Sequence, residues 1–177
     1  MATKRWAGLL RAVNVGGRTL PMATLREVAE EAGFEQVRTL LASGNVVFTG
    51  SGSAAAVRGR LERAIAEHTG FRVEVLLRSK QQLDRLLADN PFPQGKGSQV
   101  LVGFLDGPAP AGLAAALVDV AVNEEVVVAG KHVWVHFPDG MGRSALAARL
   151  PTLARPRIVT GRNVNTVTRL AGMIDPD

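Results

Sequence analysis

The chain has no cysteine and no tyrosine, and among its 177 residues there are only two Trp and six Phe. Without thiols there is no disulfide framework, no thiolate zinc site and no cysteine nucleophile. No run approaches the roughly 18 apolar residues that a membrane span requires. Lys4 and Arg5 precede a short apolar stretch, but Arg11 ends it too soon for the core of a signal peptide. The expectation is therefore a cytoplasmic protein without a membrane partner. Three histidines and no tight acidic cluster leave no donor set for a metal, and no cofactor is expected. What is present is 46% hydrophobic and 21% charged, which is apolar enough for a core and too weakly charged for disorder.

The formal charge is +5, and it is unevenly spread. Residues 1–18 carry Lys4, Arg5, Arg11 and Arg18 with no acid. Residues 140–174 carry Arg143, Arg149, Arg155, Arg157, Arg162 and Arg169, again with no acid. The stretch between them is net acidic, and Asp175 and Asp177 close the chain. If the two basic ends meet, they form an electropositive region suited to anions. The plainer explanation is GC-rich coding, which enriches Arg throughout a chain.

Hydrophobic spacing gives the order of elements. A strand over 5–13 is followed by a helix carrying Met22, Leu25, Val28, Ala29 and Ala32, with Gly33 as its stop. Strands over 37–41 and 46–49 flank the hairpin signal Ser43-Gly44-Asn45. Ser53 caps a second helix with the stripe Val57, Leu61, Ala64, Ile65 and His68, ended by Gly70, and 71–77 is a fourth strand. This order is β-α-β-β-α-β, the ferredoxin-like split unit. Ser79 and Gln82 form a capping box for a further helix. The Pro- and Gly-containing stretch 90–98 reads as a linker. The grammar then restarts with strands at 100–105, 125–129, 132–137 and 157–160. Helices follow Pro110 and Ser144, and a last one begins at Asn165 or Thr166. The expected fold is α+β, two fused ferredoxin-like units with an appended C-terminal helix. Residues 1–78 form the first unit, 79–98 the helix and linker, and 99–177 the second unit with that helix.

Several motifs fail on context. Gly50-Ser51-Gly52 with Ala55 matches a dinucleotide pattern, but its strand is the second arm of a hairpin rather than the first strand of a parallel unit. Gly95-Lys96-Gly97-Ser98 lacks the first glycine of a phosphate loop, Asn90 standing in its place. His132, Trp134 and His136 share one strand face, expected to be half-exposed. The two histidines lie roughly 13 Å apart, too far to chelate one ion. His68 reads as a core or boundary residue. Sequence-specific RNA binding on such a sheet needs stacking aromatics, which are scarce here.

Four polar clusters remain. They are Arg11 with Asn14, Gly16, Gly17 and Arg18; Ser43 with Asn45; Arg143 with Ser144; and Arg162 with Asn163, Asn165 and Thr166. Glycine admits close approach of a ligand, helix amides attract anions and Arg offers a bidentate fork. The same residue types also cap helices and build turns. The expectation is that the arginines converge on one site for a small, phosphate-bearing anion. Glu35, Glu74 or Asp139 would be the rival partners offsetting their repulsion. Phosphate contacts to nucleic acid, or a purely structural or dimerising role, are the alternatives. No motif identifies a reaction, and oligomeric state is not written in these residues.

At these clusters the chain resembles a bacterial family, domain of unknown function 1697. The resemblance lies in RAVNVGGR at 11–18, LPMATLREVAEEAGFEQVRTLLASGNVVF at 20–48, GRS at 142–144 and GRNVNTVTRL at 161–170. It implies tandem ferredoxin-like units and carries no reaction, cofactor or catalytic residue. The family commonly has Trp between the two Asn of the last motif, where this chain has Val164.

Overall fold

Eight strands and six helices succeed one another in the computed structural model, which describes residues 2–174. Asp175 and Asp177 lie outside the described residues. The first sheet contains β1 (Thr3–Leu10), β2 (Glu35–Leu40), β3 (Asn45–Ser51) and β4 (Val75–Arg78), with helices α1 (Met22–Glu31) and α2 (Ala54–Thr69) between its strands. After α3 (Lys80–Ala88), a second sheet contains β5 (Val100–Leu105), β6 (Glu125–Ala129), β7 (His132–His136) and β8 (Val159–Asn163). Its helices are α4 (Leu113–Val120) and α5 (Ala145–Leu153), and α6 (Val164–Met173) follows. The fold is mixed α+β, with two four-stranded antiparallel sheets ordered β2-β3-β1-β4 and β6-β7-β5-β8. The chain divides into two compact units, Met1–Arg85 with Arg169–Asp177, and Leu86–Thr168. Among the described residues no helix is long and apolar enough to cross a membrane.

Local signals place the helices. The Ser53 hydroxyl accepts a hydrogen bond from the Ala56 amide at 3.2 Å, and Gly70 closes α2 in the left-handed conformation at φ 78°. Ser79 and Gln82 cap α3 reciprocally: the Ser79 amide donates to Gln82 Oε1 at 2.9 Å, and the Gln82 amide to Ser79 Oγ at 3.2 Å. Val57, Leu61 and Ile65 turn one face of α2 onto the first sheet. There they join Trp6, Leu10, Val46, Phe48 and Val75 in the unit's core. Leu113, Leu117, Leu146 and Leu150 do the same for the second sheet, against Leu105, Val133, Val135 and Phe137.

Some elements differ from expectation. β1 stops at Leu10, and beyond it Ala12 and Asn14 turn the chain away with positive φ, 54° and 56°. β4 begins at Val75 rather than at Phe71. β8 runs on to Asn163, paired with Leu101. His68 is exposed in the last turn of α2, not in the core. The strand face bearing His132, Trp134 and His136 is mixed: Trp134 and its neighbours Val100, Val102 and Phe104 are buried, His132 and His136 are partly exposed, and Glu125, Val127 and Ala129 at its edge are exposed. The segment 90–98 packs on its own unit: the Phe92 and His136 ring centroids lie 5.7 Å apart.

The two sheets share register as well as order. Leu10 opposes Val75, Gly8 opposes Leu77 and Ala7 opposes Arg78. In the second sheet Leu105 opposes Val159, Gly103 opposes Gly161 and Val102 opposes Arg162. The hydrogen bonds leaving the strands also match. Leu10 N donates to Gly44 O and Arg11 N to Glu74 O, as Leu105 N does to Lys131 O and Asp106 N to Ile158 O. Gly8 and Gly103 occupy equivalent central positions, where a Cβ would come within 3.1 Å of Val46 and 3.2 Å of Val159 respectively. Arg78 and Arg162 are likewise equivalent.

Candidate functional site

In the first unit the sequence clusters come together. Asn14, at φ 56°, spends its whole side chain on bracing the loop after β1. Its Nδ2 donates to Leu20 O at 2.9 Å and to Ala42 O at 2.7 Å, and its Oδ1 accepts from Leu20 N at 2.8 Å. These bonds join the loop 11–20 to the turn 41–44. Gly44 is packed so tightly there that a Cβ would lie 2.8 Å from Leu10 Cβ and 2.6 Å from Val13 Cγ2. Asn45 is buried, with Nδ2 donating to Leu40 O at 2.7 Å and to Ser43 Oγ at 3.0 Å. Asn14 and Asn45 are therefore framework residues, and Ser43 is tied into the same turn.

The guanidinium groups lie on the other side of that loop. Arg11 meets Glu74 at 3.4 Å, with both side chains more than a third exposed. Arg18 lies over the Phe71 ring, 5.1 Å from its centroid, and donates to Arg72 O. Arg11 and Arg18 thus both reach the segment 71–74, Arg11 at the Glu74 carboxylate and Arg18 at the Phe71 ring and the Arg72 carbonyl. Gly16 and Gly17, at φ 57° and 82°, stand open with nothing near their missing side chains.

The backbone of this region is strained. Four non-glycine residues among those described have positive φ, and three of them, Ala12, Asn14 and Leu41, sit in these two loops. Such conformations cost on the order of 1 kcal/mol each and concentrate where function over-determines them.

The second-unit clusters are spread differently. Ser144 Oγ accepts from Ala147 N at 3.2 Å, capping α5, and donates to Glu124 Oε1 at 2.5 Å. That bond, with backbone amides of Val122, Glu124 and Asn123, holds the Glu124 carboxyl down at about 2. Asn163 Oδ1 accepts from Thr166 N at 2.9 Å at the start of α6. Asn165 packs against Gly97, and Thr166 is buried. Arg162 is buried on β8, donating to Thr160 Oγ1 and Gly161 O at 2.8 Å each. Burial lowers its pKa to about 10. Arg143 is exposed beside the cap of α5. Ser144 is anchored next to β6 and Arg162 lies on β8, the two edges of one sheet, about 14 Å apart across three strand spacings. Within this unit the Arg143 and Arg162 motifs therefore stand at separate places.

Sequence reasoning missed several residues of the first-unit cluster. Phe71 and Arg72 were hidden in a stretch that reads as strand. Leu41 reads as the end of β2, and nothing in a leucine announces φ 60°. Arg78, buried and lowered in pKa by desolvation, donates to Leu77 O at 2.9 Å. Only its register equivalence to Arg162 signals it. Among the described residues no group of three or more His, Asp or Glu is placed to hold a metal ion.

Comparison with known proteins adds family and fold. A family model described as a protein of unknown function, DUF1697, matches residues 3–134. No curated protein matches. Among solved structures, the chain is similar to the conserved bacterial protein SP0830 from Streptococcus pneumoniae. The two are 25% identical with a TM-score of 0.77, over 97% of this chain and 98% of that one.

Proposed function

Because the chain belongs to the DUF1697 family, whose description assigns no activity, we propose a function from its own geometry: the first unit binds a small phosphate-bearing anion. The site is the end of the first sheet where the loop 11–20, the turn 41–44 and residues 71–74 meet. Arg11 and Arg18 are its cations, Gly16 and Gly17 the open backbone, and Asn14 its brace. The residues of the second unit, Arg143, Ser144, Arg162, Asn163, Asn165 and Thr166, serve caps and strand structure in this reading.

One observation supports it above the rest. We read the chain as two fused ferredoxin-like units, a duplication supported by the matched registers, so the second unit is an internal control. There, Asp106 stands at the position of Arg11, and its Oδ1 accepts from Ile158 N at 3.0 Å. Pro108 and Pro110 occupy the loop that Gly16 and Gly17 occupy in the first. Gly107 is buried beneath Arg157, whose Nε donates to Pro108 O at 3.1 Å. The β6–β7 turn needs only Gly130 and Lys131, whereas the β2–β3 turn has four residues, 41–44. The fold thus closes this end without clustered arginines or non-glycine residues at positive φ, although Gly112 and Gly130 are open glycines there too. The first unit carries both features at a cost in stability, which a ligand offsets.

A cytoplasmic setting, with phosphorylated metabolites and nucleotides at hand, accords with this reading. The test is a thermal-shift screen with pyrophosphate, sugar phosphates and nucleotides across a salt series. A hit weakened by about 1.5–3 kcal/mol in Arg18→Ala, the worth of a charged hydrogen bond, and unchanged in Arg157→Ala is the expected result. Binding only to polynucleotides, falling steeply with salt through counterion release, would favour a nucleic-acid module instead. No stabilisation by any anion leaves the loops as structural turns.

A further inference from the structure

Each four-stranded sheet has two edges, and among the described residues three of the four are blunted by the chain itself. On β2 the register shifts between Glu35 and Arg38, Gln36 turns to φ 52°, and Arg38 donates to Met173 O. On β4 the Val75 amide donates to Glu62 Oε1 at 2.9 Å, and Leu77 O accepts from Arg78 Nη1 at 2.9 Å. On β8 Gly161 O accepts from Arg162 Nη1 at 2.8 Å.

The fourth edge, β6, has no such closure. It pairs with β7 without a bulge, and its sequence, EVVVA, holds neither Lys nor Pro. Leu105 N donates to Lys131 O and Phe137 N to Gln99 O. Residues 131, 133, 135 and 137 therefore turn their backbone groups toward β5, and His132, Trp134 and His136 toward β6. Glu125, Val127 and Ala129 face these three across the ladder, which leaves the N–H and C=O of Val126 and Val128 on the open side. Among the described residues these four groups have no hydrogen-bond partner. Val127, at the middle of the strand, is 37% exposed. Val118 and Val122, on the helix and loop leading into β6, are exposed as well.

We propose that β6 is the contact for a second copy of this chain, which adds its own β6 antiparallel about a two-fold axis at Val127. Charge selects this occupant. The strand is acidic at its start, with Glu124 and Glu125, and basic just past its end, with Lys131. A parallel neighbour would set like charges side by side, whereas an antiparallel copy brings Lys131 next to Glu125 of the other. The open groups then choose the register. With Val127 facing its own counterpart, Val126 of each copy opposes Val128 of the other, and the two pairs form four N–H···O bonds from free groups. Sliding the copies until Val126 faces itself calls on the Glu124 amide, which is bonded to its own carboxylate. Sliding them the other way calls on Gly130 O, which accepts from Ala109 N. Five residues a side bury less than a standard interface, so the dimer should be reversible and concentration-dependent.

The test is sedimentation of the full chain over a concentration series, with amide hydrogen exchange at its two ends. The mass should rise from one copy to two, and the Val126 and Val128 amides should exchange at least tenfold more slowly at the high end. Val127→Lys and Val127→Glu, at an exposed position, should each weaken self-association at least tenfold while circular dichroism shows the fold retained. Mixing the two variants should restore the dimer, because the axis sets position 127 of one copy against position 127 of the other. A chain that stays monomeric up to about 1 mM overturns the proposal, whether or not the edge accepts an extended peptide. So does a dimer that both variants leave intact, or one in which Val126 and Val128 exchange as in the monomer. A mixture of the variants that fails to reassociate refutes the two-fold register.

Discussion

Ser144 offers the sharpest test of whether the second-unit motif is structural. Its hydroxyl does two things at once: the oxygen caps α5 by accepting from Ala147 N, and the hydrogen goes to Glu124. Ser144→Ala removes both. Loss of the cap costs about 1 kcal/mol. Loss of the charge-assisted bond to a carboxylate costs about 1 kcal/mol more, after allowance for solvent screening of a largely exposed group. The sum at pH 7 is about 2 kcal/mol. Its two parts respond differently to acid. Glu124 is held at about 2, below its ordinary value of 4.5. A carboxyl whose folded pKa is depressed contributes stability above its unfolded pKa, and loses it as pH falls toward the folded one. Urea unfolding of wild type and Ser144→Ala, repeated from pH 7 down to pH 2.5, should therefore show the difference shrinking. It should fall from about 2 toward about 1 kcal/mol, with most of the change below about pH 5. Glu124→Ala should abolish that pH dependence while keeping the cap. A difference that is constant across the range would refute the account, because Glu124 would then not be coupled to Ser144.

Three further outcomes are expected. Asn14→Ala removes three hydrogen bonds and places Ala at φ 56°, so it should cost about 2–4 kcal/mol by urea unfolding and broaden the amide signals of residues 11–20 and 41–44. Gly44→Ala sets a Cβ 2.6 Å from Val13 at φ 89° and should cost at least about 2 kcal/mol, whereas Gly130→Ala, with open space around it, should cost about 1. Arg162→Ala leaves a cavity on a buried sheet face and should lower stability by about 2–4 kcal/mol. Arg162→Met, which fills that volume without a desolvated charge, should recover most of the loss in the same denaturation assay.

How much of this was legible beforehand depended on the kind of interaction. Helix starts and stops are written in single residues, and Ser53, Gly70, Ser79 with Gln82, and Ser144 each do what their residue types imply. Strand order followed from the repeated grammar. The burial of both faces of the central strand β5 is legible in Val100, Val102 and Phe104 opposite Leu101 and Leu105, a continuous rather than alternating apolar run. The candidate site was half legible. Residue types gave Arg11, Asn14 and Arg18, but not that Asn14 is spent on the backbone. Left-handed conformation at Ala12 and Leu41 leaves no trace in composition, because those residues are chosen against their own preference. The basic ends of the chain suggested a gathering of arginines, but residue types did not show that Arg162 is engaged with Thr160 and Gly161 on the strand that bears it.

The order of synthesis gives the unit boundaries a kinetic meaning. The first unit takes in residues 169–174: Leu170, Ala171 and Ile174 are buried, Arg38 donates to Met173 O, and Lys80 donates to Ala171 O at 3.4 Å. On the ribosome these residues emerge only after all of Leu86–Thr168. The half that begins first is thus completed last, and until then the edge carrying Arg38 lacks its closing segment. The later half, contiguous in sequence, has every residue it needs once Thr168 is made. Its folding does not wait for the tail, so a nascent chain arrested before residue 169 should protect the second sheet from proteolysis sooner than the first.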